Sequence, residues 1–157
     1  MILIAPLSIS VYEIPFTLQT LIIFANIFFF REIGFYAVLA YVVVGFVGLP
    51  VWSGYRSDTH ILHTVSAGFV IGFLVVSALL LILVKKKPEM VFWQMAYSLC
   101  AAHITLLIFA FCYNEFMNLP PLDLEKLFVK FVPVAMVKSL LAAGLVYAIK
   151  SSSILPE

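Results

Sequence analysis

The stretch Leu62-His63-Thr64-Val65-Ser66-Ala67-Gly68-Phe69-Val70-Ile71-Gly72-Phe73-Leu74-Val75-Val76-Ser77-Ala78-Leu79-Leu80-Leu81-Ile82-Leu83-Val84 carries no charge and runs straight into Lys85-Lys86-Lys87. Coiled as a helix it is about 35 Å long, enough to cross a hydrocarbon layer of about 30 Å. A soluble domain would have no surface to offer such a segment. Two further stretches pass the same test, Val91 to Cys112 and Leu127 to Ile149. The composition agrees, with 64% hydrophobic residues, 11% charged residues and a mean hydropathy of +1.16 over 157 residues. Water-soluble domains are about half apolar and about a quarter charged. The solvent of this chain is lipid, and it is an integral, multi-pass protein of the cell membrane.

Working outward from Leu62, the segment from Phe16 to Trp52 is apolar except for Arg31-Glu32 and a few neutral polar side chains. Cutting at that charge pair gives two helices, Phe16–Phe30 and Ile33–Val51, joined by a tight turn. Ahead of them, Ile2–Val11 holds Pro6, Ser8 and Ser10 and is about half a bilayer long as helix, so it reads as a partial first helix or a re-entrant piece. The fold class is therefore all-α, a polytopic membrane helix bundle of five clear spans plus a truncated first one, in a single domain over residues 1–157. No basic n-region or clear cleavage site marks the N-terminus as a signal peptide, which keeps it in the mature chain.

Charge sets the direction. The lysine run is cytoplasmic by the positive-inside rule, and counting helices from it brings Arg31 and Lys150 to the same side. The outer face then receives two loops, Ser53–Ile61 and Tyr113–Glu125, with Arg56, Asp58, His60, Glu115, Asp123 and Glu125. A net charge of +1 leaves no polybasic footprint for nucleic acid. Cys100 and Cys112 lie in one apolar run more than three helical turns apart, beyond disulfide reach, and read as buried thiols.

Few residues could do chemistry. There is no phosphate loop, no His-Glu-x-x-His and no Gly-x-Ser-x-Gly, so neither ATP hydrolysis nor catalysis is indicated. Lys138 is the most informative side chain. A lysine inside a span costs about 2.5–3.5 kcal/mol on insertion scales, and no acidic residue lies within a helical turn of it in sequence. If Pro133 starts the helix, Lys138 sits within about two turns of the outer end, open to an anionic group; alternatively it snorkels to the interface and binds nothing. Trp52-Ser53-Gly54-Tyr55-Arg56-Ser57-Asp58-Thr59-His60 is a polar outer loop framed by aromatics, either a lid over a ligand or a solvated connection. His60 and His63 share a helix face near Asp58, where a metal is conceivable but lacks a third nitrogen or sulfur ligand, so no metal or other cofactor is assigned. His103, deep in its span, reads as a hydrogen-bond link to a neighbouring helix, with Ser98 or Thr105 as partner. Gly68-x-x-x-Gly72 is the spacing of closely packed membrane helices.

Two strings add what spacing alone does not. Ile14-Pro15-Phe16-Thr17-Leu18-Gln19-Thr20-Leu21 resembles the Pro-x-Thr-Leu-Gln-Thr-Leu string near the start of the BioY family, and Leu39 to Val51, with Gly45-Phe46-Val47-Gly48-Leu49-Pro50-Val51, resembles its Gly-x-x-Gly-Leu-Pro-Val stretch. Gly68-Phe69-Val70-Ile71-Gly72-Phe73 is similar to the start of that family's fourth helix, and Phe131-Val132-Pro133 with Lys138-Ser139-Leu140-Leu141-Ala142-Ala143 to its last. The matches run in order along nearly the whole chain.

The resemblance implies a substrate-capture subunit, specific for biotin, of an energy-coupling factor transporter. Such subunits have six helices, here with the first truncated, and they depend on a transmembrane coupling subunit and ATPase subunits for energy. They take the vitamin from outside and topple in the membrane when docked. The resemblance makes Lys138 a substrate-site lysine that would hold a carboxylate or ring oxygen, and it puts Arg56, Asp58, Gly68 and Phe69 in the region covering the ligand. It adds His103 at a position where the family has asparagine, Gln19 in its first string, and Trp52 and Tyr55 as aromatics for the apolar rings. The chain also departs from the family: Pro-Gly-Asp before the last lysine reads Pro133-Val134-Ala135, and Gly-Pro before the fourth helix reads Thr64-Val65. Two other readings stand beside this one. The chain could be a diverged paralogue that occupies the coupling module without carrying a vitamin, or an intramembrane metal or haem protein using His60, His63 and His103.

Overall fold

The computed structural model describes residues 8–11, 14–52, 59–121 and 124–152. Its first element is a short antiparallel hairpin of β1 (Ser8–Val11) and β2 (Ile14–Thr17), with Ser8 opposite Thr17 and Val11 opposite Ile14. The sequence reading places a partial helix over Ile2–Val11, yet its last four residues are extended. Ile9, Val11, Ile14 and Thr17 are β-branched, and such residues favour a pleated strand over a short, isolated helix.

Four helices follow: α1 (Gln19–Phe46), α2 (Val65–Lys86), α3 (Phe92–Phe116) and α4 (Leu124–Ser151). By length and composition all four suffice to cross a membrane, α4 over Phe131–Ser151. A single 3₁₀ turn, Thr59–His63, leads into α2.

α1 is not one straight rod. Arg31 has φ 48° and ψ −116°, and there the chain folds back on itself. Gln19 Nε2 meets Tyr41 Oη at 2.8 Å and Asn26 Nδ2 meets the Gly34 carbonyl at 3.0 Å, two pairs centred on the same point of the sequence. That symmetry defines an antiparallel helical hairpin with arms 19–30 and 32–46. The break falls at the charge pair where the sequence reading cuts the segment. Gly34 lets the arms touch, because a Cβ there would lie 2.5 Å from the Asn26 carbonyl oxygen. The second arm ends at Phe46, five residues earlier than expected, where Gly48 (φ 104°) and Pro50 stop it.

The lysine run and the α1 turn lie at the same end of the bundle, joined by a Lys85–Glu32 ion pair of 2.6 Å. This is the arrangement that the alternation of charges requires. α2 and α3 pack antiparallel through glycines: a Cβ on Gly68 would stand 2.6 Å from Ala110 Cα, and one on Gly72 would stand 2.9 Å from the Leu106 side chain. Their inner faces join α1 and α4 in one apolar core that includes Phe24, Phe28, Val76, Leu80, Leu99, Leu106 and Val146. The outer faces are no less apolar, with Ile71, Leu79, Ile82, Ile104, Ile108 and Leu141 exposed. Only lipid makes such a surface stable. Trp93 and Tyr97 are exposed near the lysine-bearing end, and such aromatic side chains are enriched where spans meet headgroups. Cys112 is exposed on this outer surface and Cys100 half-buried, so the expectation of two buried thiols is corrected.

Candidate functional site

The polar residues of the interior gather on two levels. The deeper one is the seam between α3 and α4. His103 is 2% exposed and Lys138 6% exposed, next to the fully buried Ser139. Ser139 donates to the Ala135 carbonyl at 2.8 Å, and its Oγ stands 3.0 Å from His103 Nδ1. The same ring nitrogen lies 2.9 Å from the Leu99 carbonyl, while Phe24 packs edge-on to the imidazole at 5.0 Å. The expected link from His103 to a neighbouring helix exists, but its partner is Ser139. Ser98 and Thr105, the partners expected from sequence, bond instead to carbonyls one turn back on their own helix, at Met95 and Ala101. Serine and threonine do this readily in apolar helices.

Lys138 reaches this level because α4 starts earlier than Pro133. The helix begins at Leu124 and runs through the proline. A proline inside a helix forgoes one backbone bond, here to Val129 one turn earlier, and α4 accepts that cost within a packed bundle. The lysine therefore lies mid-helix and well buried, rather than two turns from an outer end. The Ala135 side chain is buried one turn before it.

The upper level is built by the end of α1 opposite the Arg31 reversal. Gln19 donates to Tyr41, and Tyr41 donates in turn to the Val51 carbonyl at 2.6 Å; all three residues are buried. This chain of bonds pins the segment leaving α1 back onto its own first arm. Trp52, 2% exposed, packs edge-on against Tyr41 and Phe46, and its ring lies directly over Gly45, where no Cβ would fit. Phe69 faces Phe131 across α2 and α4 with ring centroids 5.8 Å apart. Tyr113 ties α3 to the entry of α2 by donating to the Leu62 carbonyl at 2.6 Å.

Each candidate residue can now be placed. Lys138 and His103 come together on one seam. Gln19 and Trp52 come together at the upper level, where the Gln19 amide is engaged by Tyr41. Phe69 packs on α4, and Gly68 is occupied by the α3 backbone, so its evident role is close packing. Tyr55, Arg56 and Asp58, with the rest of the outer loop over 53–58, lie outside the described residues, as does the His60 side chain. His63 is exposed. Among the described residues no group of three His, Cys, Asp or Glu side chains converges.

Sequence reasoning missed Tyr41 and Ser139 as organising residues. The available signal was a phenol and a hydroxyl in otherwise apolar helical stretches, groups that must find partners when buried. Several buried polar atoms have no protein partner: Thr20 Oγ1, Trp52 Nε1, Ser77 Oγ, His103 Nε2 and Asn114 Oδ1. Buried polar atoms are seldom left so in a finished core, and they recur where a ligand supplies the missing bonds.

A bundle of apolar helices with lysine, histidine and serine held in its interior defines a polytopic membrane protein with a polar site among its spans. The family is shown by comparison: a model of the BioY family matches residues 1–154, and the chain belongs to that family. It is 28% identical over 149 residues to the biotin transporter BioY of Thermotoga maritima, covering 92% of this chain and 85% of that protein. It is 38% identical over 78 residues to biotin transporter BioY2 of Lactococcus lactis subsp. cremoris, a match spanning 48% of this chain and 42% of that one. The fold is similar, with a TM-score of 0.63 at 21% identity, to the crystal structure of the S-component for biotin from an ECF-type ABC transporter, over 96% of this chain and 84% of that chain.

Proposed function

We propose that this chain is the biotin-capturing S-component of an energy-coupling factor transporter, a binding subunit and not an enzyme. Membership of the BioY family supports the reading, and so do relatives named as biotin transporters. The observation that carries it in this molecule is Lys138, a cation held 6% exposed inside a membrane bundle beside His103 and Ser139. Burying an ammonium in lipid is costly and is sustained where the charge serves a solute or a partner. Lys138 would hold the carboxylate or a ring oxygen of biotin by charge-assisted hydrogen bonding. Trp52, Tyr55 and Phe69 would flank the apolar rings, and Arg56 and Asp58 would belong to the loop that covers them.

In this reading the whole chain is one domain of a six-helix family. The arms of α1 supply two helices and α2 to α4 supply three, while the β1–β2 hairpin stands ahead of Gln19, where the truncated first helix is expected. Energy comes from a coupling subunit and its ATPases, in keeping with the missing phosphate loop.

Equilibrium binding of labelled biotin to the purified protein tests the proposal. Saturable binding is expected, weakened about 10- to 100-fold by Lys138→Ala. No saturable binding to the unmodified protein would reject biotin as the ligand. Co-purification with ATPase subunits in that event would identify a non-transporting paralogue instead.

A further inference from the structure

His103 has its two ring nitrogens in different situations. Nδ1 lies 2.9 Å from the Leu99 carbonyl oxygen, which can only accept, so Nδ1 must carry a proton. Ser139 agrees, because its hydroxyl proton goes to the Ala135 carbonyl and its oxygen is left to accept from Nδ1 at 3.0 Å. With Nδ1 protonated, Nε2 of the neutral imidazole presents a bare lone pair. That atom is buried, in a side chain 2% exposed, and has no hydrogen-bond partner. Were Nε2 the protonated nitrogen, Nδ1 and the Leu99 oxygen would set two lone pairs against each other at bonding distance. The tautomer is thus fixed by two neighbours on two helices.

A buried acceptor without a donor is a demand for one. We infer that His103 Nε2 is the acceptor for a neutral N–H donor of the ligand and sets selectivity for it; if the ligand is biotin, as proposed above, that donor is a ureido N–H. An acceptor fits the neighbourhood. Ala135, one turn from Ser139 and bonded to it through its carbonyl, contributes no polar side-chain atom, the Ser139 proton is committed to that carbonyl, and Lys138 is a donor. Beside Ala135, Lys138 and Ser139, His103 is the side chain whose free valence is a lone pair. Leu99 and Ser139 are positioning groups that hold the ring in this tautomer.

The test rests on the proposed function and is arranged to fail separately from it. Dissociation constants are measured for biotin and for its two ureido mono-N-methyl derivatives, with the unmodified protein, His103→Leu and His103→Asn. The unmodified protein should bind biotin and reject one of the methyl derivatives about 10- to 100-fold more strongly than the other. H103L should weaken biotin by a similar factor and lose the discrimination, and H103N, which offers a carbonyl oxygen, should restore part of both. Imidazole ¹⁵N resonances of the unmodified protein give a reading that needs no variant: Nε2 should appear unprotonated and shift on biotin binding, with Nδ1 protonated throughout. Biotin binding that is indifferent to H103L and to methylation, or an Nε2 resonance unmoved by biotin, overturns this inference and leaves the biotin assignment standing. If the unmodified protein binds no biotin, the assignment and this inference fall together.

Discussion

Tyr41→Phe removes one oxygen atom, yet it should be among the more damaging single changes in this protein. The Tyr41 hydroxyl accepts from Gln19 Nε2 at 2.8 Å and donates to the Val51 carbonyl at 2.6 Å, and the three residues are 1%, 6% and 0% exposed. Deleting it strands a buried donor and a buried acceptor together. An orphaned buried polar group costs about 1–3 kcal/mol, and hydrogen bonds between membrane helices average nearer 0.6 kcal/mol because alternatives can be found. With both groups stranded, a combined loss of about 2–4 kcal/mol is expected. For a chain of this size that is a fall of about 5–15 °C in midpoint.

The assay is thermal unfolding in detergent at one fixed scan rate, since membrane proteins often unfold irreversibly. Trp52 fluorescence in a Trp93→Phe background reports the site directly, because Trp52 lies edge-on to Tyr41 at 5.6 Å. A double-mutant cycle sharpens the argument. With Gln19→Leu already present, Tyr41→Phe strands one group instead of two and should cost about 1 kcal/mol less. A Y41F midpoint within about 1 °C of the unmodified protein, or strictly additive effects in the cycle, would refute the idea that this relay holds the end of α1.

Other substitutions follow from the same geometry. Gly68→Ala forces a methyl to within 2.6 Å of the Ala110 Cα, so α2 and α3 must separate at a cost of about 1–3 kcal/mol. Gly144→Ala meets nothing within 4 Å and should stabilise α4 by up to about 1 kcal/mol, making it the control in the same melting experiment. Arg31→Gly relieves a backbone conformation that side chains resist (φ 48°, ψ −116°), for a gain of about 1 kcal/mol read as a higher midpoint. Lys85→Met breaks an ion pair whose side chains are half exposed, so stability should change by less than about 1 kcal/mol at any salt concentration.

The membrane class, the helix limits to within a few residues and the break at Arg31-Glu32 were legible in the sequence. Each depends on quantities local to the chain: the length of an apolar run against the thickness of hydrocarbon, and the cost of charge inside it. The family resemblance was legible too, from strings that need no coordinates. Partners of polar groups were not. Sequence suggested Ser98 and Thr105 for His103 because they are near in number, but both satisfy themselves within α3, and the partner lies thirty-six positions away on α4. Nor could sequence say that Gln19 belongs to Tyr41, since that pairing exists only because the chain reverses at Arg31.

The chain alone thus determined its solvent and its kinship, because hydrophobicity is summed along a segment irrespective of what packs beside it. Tertiary structure alone decided that His103 meets Ser139 on α4, that Gln19 meets Tyr41 and that Lys138 is held in the interior. Those outcomes turn on contacts between helices within about 3 Å, and such contacts are set by how faces meet across the bundle, a property that no single segment contains.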